Sequence, residues 1–270
     1  MPTAGRTPLD VTELRERILA SVPASRIDVV AETGSTNADL MGRAARGEDV
    51  VGAVLIAENQ TAGRGRNGRV WSSVPGAQVI VSIAVDAADV PVGSWGWVPL
   101  VTGLAVVDAV REVTGVEAGL KWPNDVLAAS DGRKLAGILA EVAPSPSTIV
   151  VGVGLNVSYD ADELPDPNAT SLTLQGAADV DRAGLIVELL GELVRRVDGL
   201  RSAGGADADL VAEYASRSLT VSARVRVTLP GDRTVVGMAT GIDPQGRLHV
   251  DTETGVITIS AGDVVHLRPV

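Results

Sequence analysis

The hydrophobic spacing changes once along this chain, near Leu219, and that change limits the possible folds more than any other feature. Beyond it, "LTVSARVRVTL" (219–229) sets Val221, Ala223, Val225, Val227 and Leu229 on one face at period two. The turn sequences "PGD", "DPQG" and "ETG" then follow at short intervals. Roughly 50 residues of short strands and tight turns predict a small SH3-like β-barrel. The expected domains are residues 1–217 and 218–270.

Before Leu219 the two periods interleave. "LDVTELRERIL" spaces Leu14, Ile18 and Leu19 for a helix, with Asp10 or Thr12 as its cap. "GSTNADLMGRAARG" reads as a second helix, capped at Ser35 or Thr36 and ended by Gly47. "GWVPLVTGLAVVDAVREVTG" reads as an apolar helix ending at Gly115. "AGLIVELLGELVRRVDGL" is amphipathic, with Ile186, Leu189, Leu190, Leu193, Val197 and Leu200 on one face. "DADLVAEYASRS" predicts a further short helix. "RIDVVAET", "VVGAVLIAEN" and "AQVIVSIAV" read as strands. "AGLKWPNDVLA" reads as a strand broken by Pro123 and followed by a turn, and "KLAGILAEVA" and "TIVVGVGLNVS" as a hairpin joined by "PSPS". Helices mixed with hairpin-forming strands predict an α+β fold, a mixed sheet packed with helices, rather than a doubly wound one. With 45% hydrophobic residues the chain can build a core, although it has no Phe.

Between two of the predicted strands lies "GRGRNGR" (63–69), which spells G-x-G-x-x-G. The dinucleotide fingerprint needs a helix after that motif, whose N-terminus receives the pyrophosphate. Here "VWSSVPGAQ" follows, with Pro75 and Gly76, and leads into a strand. No Walker A sequence occurs either. What remains is a flexible loop carrying Arg64, Arg66 and Arg69, whose guanidinium forks suit phosphate and carboxylate oxygens. A formal net charge of -11 makes this basic cluster stand out, and argues against nucleic acid as a general partner. The absence of Cys excludes disulfides and thiolate metal sites, and only two His leave little for a His-based centre. No stretch suggests a membrane span or signal peptide, so a cytoplasmic protein is expected.

"GSTN" (34–37), "ENQTAGRG" (58–65), "GRGRNGRVW" (63–71), "KWPND" (121–125), "KLAGIL" (134–139) and "GVGLNV" (152–157), in that order, resemble biotin protein ligases. The resemblance covers most of the larger domain, and the C-terminal barrel fits it. It implies a class II synthetase-like catalytic fold and a two-step reaction. Biotin and ATP give biotinyl-5′-AMP and pyrophosphate. A lysine of a biotin carboxyl carrier domain of a carboxylase then takes the biotin and releases AMP. Both first-step reactants are anions, so charge neutralisation and positioning must dominate. ATP, biotin and Mg²⁺ are the implied small molecules.

The resemblance also distributes roles. Lys134 and Arg66 become catalytic, with Lys134 bridging the biotin carboxylate and the α-phosphate. Lys134 otherwise reads as a solubilising edge charge. Ser35, Thr36, Asn37 and Gln60 become biotin contacts, although the first three also suit a helix cap. Gly63, Arg64, Gly65 and Arg66 join them from the loop. Gly137, Gly152 and Gly154 would leave a bare floor for a flat bicyclic ligand. Arg64, Arg66, Arg69, Trp71, Asn124 and Asn156 fall on the ATP or adenylate side, and Asp125 is the candidate Mg²⁺ organiser. Trp122 reads equally as a buried sheet residue. The loop is expected to order on ligand and to shield the anhydride from water.

About 25 residues precede the first predicted strand, too few for a helix-turn-helix module. The expected type is therefore the monofunctional ligase without a DNA-binding domain, a monomer or weak dimer, that meets its acceptor through a strand edge. A lipoate–protein ligase of the same fold and a non-catalytic biotin sensor are the competing functions. The loop and "KWPND" favour biotin, and a sensor has no need of three phosphate-directed arginines plus Lys134.

Overall fold

The computed structural model describes residues 6–231 and 233–267. Its first helix, α1 (Val11–Ser21), starts at Asp10, whose carboxylate accepts from the Thr12 and Glu13 amides. Leu14 and Ile18 are buried, but Leu19, expected beside them, is 61% exposed. Five residues after Leu14, it stands about 140° round the helix.

Seven strands form the main sheet: β1 (Arg26–Val30), β2 (Ala53–Ala57), β5 (Gln78–Asp86), β6 (Ala118–Lys121), β7 (Asp125–Ala128), β8 (Lys134–Val142) and β9 (Thr148–Asn156). Their spatial order is β1-β2-β5-β9-β8-β7-β6. Only β1 and β2 run parallel and every other neighbour is antiparallel, so the sheet is mixed. Two further two-residue strands, β3 (Gly63–Arg64) and β4 (Val70–Trp71), pair to make the arginine loop a small hairpin above the sheet.

"AGLKWPNDVLA" departs from its sequence reading. Two strands, β6 and β7, flank the turn, Lys121 faces Asp125 in register, and the Trp122–Pro123 peptide is cis. Asp125 therefore opens a strand rather than sitting in the turn.

Helices cover both faces. α3 (Trp97–Thr114) is apolar on nearly all sides and is enclosed accordingly. It ends at Gly115, whose φ of 69° is the left-handed cap that glycine takes most readily. α4 (Arg182–Ala203) buries the six apolar residues of its predicted face, and truncating Leu189 or Leu193 to Ala would cost about 2–5 kcal/mol each. α2 (Thr36–Ala45) packs on the opposite face, where Leu40 and Ala44 meet Leu55, Ala84 and Val150. α5 (Ala208–Arg217) is tied to α3 and α4 by Arg196, which is held between Asp108 at 2.5 Å and Glu213 at 2.9 Å.

The C-terminal strands β10 (Arg224–Thr228), β11 (Thr234–Ile242), β12 (Leu248–Thr252), β13 (Gly255–Ile259) and β14 (Asp263–His266) form a separate antiparallel sheet in the order β13-β12-β11-β10-β14. β10 buries Val225 and Val227 and exposes their neighbours, as its alternation requires. Asp232 of the expected "PGD" turn lies outside the described residues. Buried donors join the C-terminal strands to the larger part of the chain. The Trp122 indole donates to Gly246 O at 3.0 Å and the Trp97 indole to Asp243 O at 3.2 Å. Trp122 is thus a buried strut between the sheets.

Candidate active site

A cavity of about 240 Å³ opens between the main sheet, the arginine loop and the start of β14. Ser35, Thr36, Asn37 and Gln60 line it, as do Arg64, Gly65, Arg66, Arg69 and Trp71 of the loop. Asn124, Asp125, Lys134, Gly137, Gly152 and Gly154 complete the sequence-selected set on its wall. Two of the expected residues do not line it, Gly63 and Asn156. A Cβ on Gly63 would stand 2.3 Å from Trp71 O, so its glycine serves the close approach of β3 and β4. Asn156 is buried, donating to Thr170 O at 2.9 Å and Lys134 O at 3.4 Å and accepting from Gln78 at 2.9 Å. Its amide braces the start of β8, and the residue lines the second cavity, described below, rather than this one.

The bare glycine floor also needs correcting. Gly137 and Gly154 face each other in register across β8 and β9, and the Trp71 indole lies on them. A Cβ on Gly154 would come within 2.4 Å of the ring and one on Gly137 within 2.9 Å. Gly152 likewise receives the Asn37 amide, 2.2 Å from where its Cβ would be. The missing side chains make room for the protein's own groups. The Trp71 indole N–H is buried with no acceptor among the described residues.

The polar end is tightly specified. Ser35 caps α2 at Ala38 N. Thr36 N and Oγ1 both donate to Gln60 Oε1, at 2.8 and 3.1 Å. Ser82 Oγ reaches Thr36 Oγ1 and Asn37 Oδ1, both at 2.7 Å. The Asn37 amide nitrogen donates to Leu139 O and to Glu141, each at 3.0 Å. Cap and cavity wall are therefore the same residues, held by Ser82 and Glu141, which sequence reasoning missed. Ser82 had a signal, as the one polar residue inside "VIVSIAV".

Three of the cations rest on carboxylates. Arg64 pairs with Glu141 at 2.7 Å, Arg69 with Asp263 at 2.7 Å, and Lys134 with Asp125 at 2.6 Å. Lys134 Nζ also stands 5.5 Å from the centroid of the Trp71 ring. Arg66 differs. It donates to Asn124 Oδ1 at 3.0 Å and has no carboxylate within salt-bridge distance among the described residues. Burial pulls its guanidinium below the ordinary arginine value, a shift that Asp263 and Asp125 oppose. A half-buried charge with only a neutral acceptor is stabilised by an arriving anion.

A second, more open cavity of about 960 Å³ lies beyond Lys134 and is lined by Asn156, Asn168, Asp131 and His266. Trp71, Arg69, Lys121, Asp125 and Lys134 line both cavities. Lys134 thus stands at their junction.

The Biotin/lipoate A/B protein ligase family model matches residues 35–157 of this chain, the segment that supplies most of the wall of both cavities. A biotin–[acetyl-CoA-carboxylase] ligase of Mycobacterium tuberculosis is 53% identical over 97% of each chain. This chain belongs to the biotin protein ligase family. The Biotin protein ligase C terminal domain model matches residues 223–267, so the second sheet is of the SH3-like type expected. The bifunctional ligase/repressor BirA of Escherichia coli is 32% identical over 94% of this chain and 77% of its own length. Among solved structures, the biotin protein ligase of Aquifex aeolicus in complex with biotin and ATP superposes with a TM-score of 0.76, at 26% identity, covering 91% of this chain and all of that one. Among the described residues no helix is long and apolar enough to cross a membrane.

Proposed function

We propose that this chain activates biotin with ATP and transfers it to a lysine of a biotin carboxyl carrier domain of a carboxylase. The observation that carries the reading is Lys134 at the junction of the two cavities, in a chain of this family. The smaller cavity takes biotin and the larger the nucleotide. A biotin carboxylate oxygen attacks the α-phosphorus, the bond to the β-phosphate oxygen breaks, and pyrophosphate leaves. Lys134 exchanges Asp125 for the oxygens on which negative charge accumulates, and Arg66 supplies a second, partly desolvated charge. The acceptor amine then attacks the anhydride carbonyl and AMP departs. Without Cys, and with no side-chain nucleophile on the path, positioning carries this second step.

The residues suit Mg²⁺ only as part of its ATP complex. No cluster of three or more His, Asp or Glu capable of holding a metal occurs among the described residues. Asp125 offers one carboxylate, already beside Lys134 and, at 3.8 Å, Lys121. Magnesium bound through one carboxylate, phosphates and water fits that supply. When bound it would neutralise phosphate charge. A supply of ATP fits a reaction in the cytoplasm, and a monomer or weak dimer suffices for it. Among the described residues, the β1 edge of the main sheet has no neighbouring strand, whereas β6 is bridged by Ser218, which leaves β1 for an acceptor strand.

The test is pyrophosphate release from Mg·ATP with biotin, lipoate or neither. Release with biotin alone is expected, and release with lipoate alone would replace the reading by a lipoate ligase.

A further inference from the structure

The arginine loop belongs to the catalytic part of the chain, yet its outer side is held from the C-terminal sheet. Asp263, the first residue of β14, accepts from Arg69 at 2.7 Å and from the Asn67 amide at 3.5 Å through the same Oδ2. Its charge also acts on Arg66. Asn67, at the loop tip, sits in the left-handed region with φ 55°. Arg64 and Lys134, by contrast, find their carboxylates on strands of the main sheet itself. Asp263 is presented from a firm base. It pairs with Thr228 in the β10–β14 ladder, and a Cβ on the preceding Gly262 would stand 2.7 Å from Val227 Cγ1 and 3.0 Å from Thr228 O. Asp263, Val264 and Val265 all line the smaller cavity.

We propose that Asp263 is a positioning residue that latches the arginine loop shut, so that the C-terminal sheet controls how long the loop stays closed over the site. Its consequence for the adenylate rests on the ligase reading above, whereas the latch itself does not. An ion pair this exposed is weak and salt-sensitive. That suits a lid that must open in every catalytic cycle.

Trypsin cuts after arginine, so Arg64 and Arg66 report loop opening directly. The full chain is compared as wild type, Asp263→Asn, Arg69→Gln and the double variant, all without ligand. Each single variant should speed cleavage after Arg64 and Arg66 by about two- to fivefold, the population change that an exposed ion pair permits. The double variant should add nothing. Salt at about 0.5 M, where the screening length is only a few Å, should bring the wild type toward the variants. Biotinyl-AMP should leave Asp263→Asn faster by a similar factor, with the melting temperature nearly unchanged. Unchanged cleavage in Asp263→Asn, or additive effects in the double variant, would overturn the latch. If Asp263→Asn does not fold, Arg69→Gln and the salt series decide, because a latch requires both to open the loop. A wild type that releases no pyrophosphate with biotin defeats the ligase reading and leaves the cleavage result standing by itself.

Discussion

Adding one methyl group at Gly154 tests whether the paired glycines exist to seat Trp71. The new Cβ would lie 2.4 Å from Cε2 and 2.6 Å from both Cζ2 and Nε1 of the indole. Carbon atoms in contact sit at about 3.5–4.0 Å, so the ring must retreat by at least about 1 Å. The sheet cannot give, because β9 lies between β5 and β8 with hydrogen bonds on both sides. Overpacking of this kind costs about 1–3 kcal/mol. The loop is tethered to its surroundings by the Arg64–Glu141 and Arg69–Asp263 pairs, whose arginines are 49% and 66% exposed. Such pairs hold about 0–1 kcal/mol each after solvent screening. The clash matches or exceeds these two tethers, and beside the Arg66–Asn124 hydrogen bond the loop has little else to resist with, so it yields before the sheet does. Gly154→Ala should leave the melting temperature within a few degrees of wild type, while Trp71 becomes accessible to acrylamide quenching. Biotin affinity, read by calorimetry, should fall about tenfold or more, the equivalent of about 1.4 kcal/mol. Of the other three tryptophans, Trp97 and Trp122 are buried and the part-buried Trp95 lines neither cavity, so quenching added by the substitution reports mainly on Trp71. Unchanged quenching together with unchanged biotin affinity would refute the idea that the glycine pair seats the ring.

Lys134→Ala should slow adenylation by two to three decades, about 3–4 kcal/mol of barrier, by pyrophosphate assay. Its stability should change by less than about 1 kcal/mol, because the Asp125 pair is partly solvated. Wild-type adenylation in this variant would reduce Lys134 to a solubilising charge. Arg66→Gly should stay folded yet release biotinyl-AMP into solution, modifying bystander lysines; retention equal to wild type counts against its role. His266, hydrogen-bonded to Thr220, has its pKa lowered by burial and by nearby Lys121. Its folded value lies below the unfolded one of about 6.5, so its contribution to stability is complete above that pH and is lost as pH falls below it. Denaturant titrations across that range should show a dependence that His266→Gln removes. Deleting residues 219–270 should weaken both half-reactions and also destabilise the remainder, because Trp97 and Trp122 lose their carbonyl acceptors. Full stability and activity in the shortened chain would contradict this.

Much of the site was legible in the chain because its residues come in short local runs. "GSTN" both caps α2 and walls the cavity, since a cap requires small polar groups at a helix start and that start faces the sheet. The arginines of 63–69 share one hairpin, and Lys134 opens a strand. Runs of this kind carry their geometry in the backbone, through spacing and turn chemistry. The same holds for α4, whose buried stripe followed from a period of 3.6.

Residue spacing alone also determined that helices give way to strands near Leu219 and that the part before it mixes helices with antiparallel strands, because periodicity reports which side of each element faces a core. Tertiary structure alone decided what lies across the gaps. Asn156 turned inward because the β8 start and Thr170 came within its reach. Trp71 settled on Gly137 and Gly154 because those glycines fell opposite each other in register. Asp263 reached Arg69 across 194 positions of sequence. Contacts of that range depend on how completed elements pack, and no local pattern in the chain encodes which partner a side chain meets after the fold has closed.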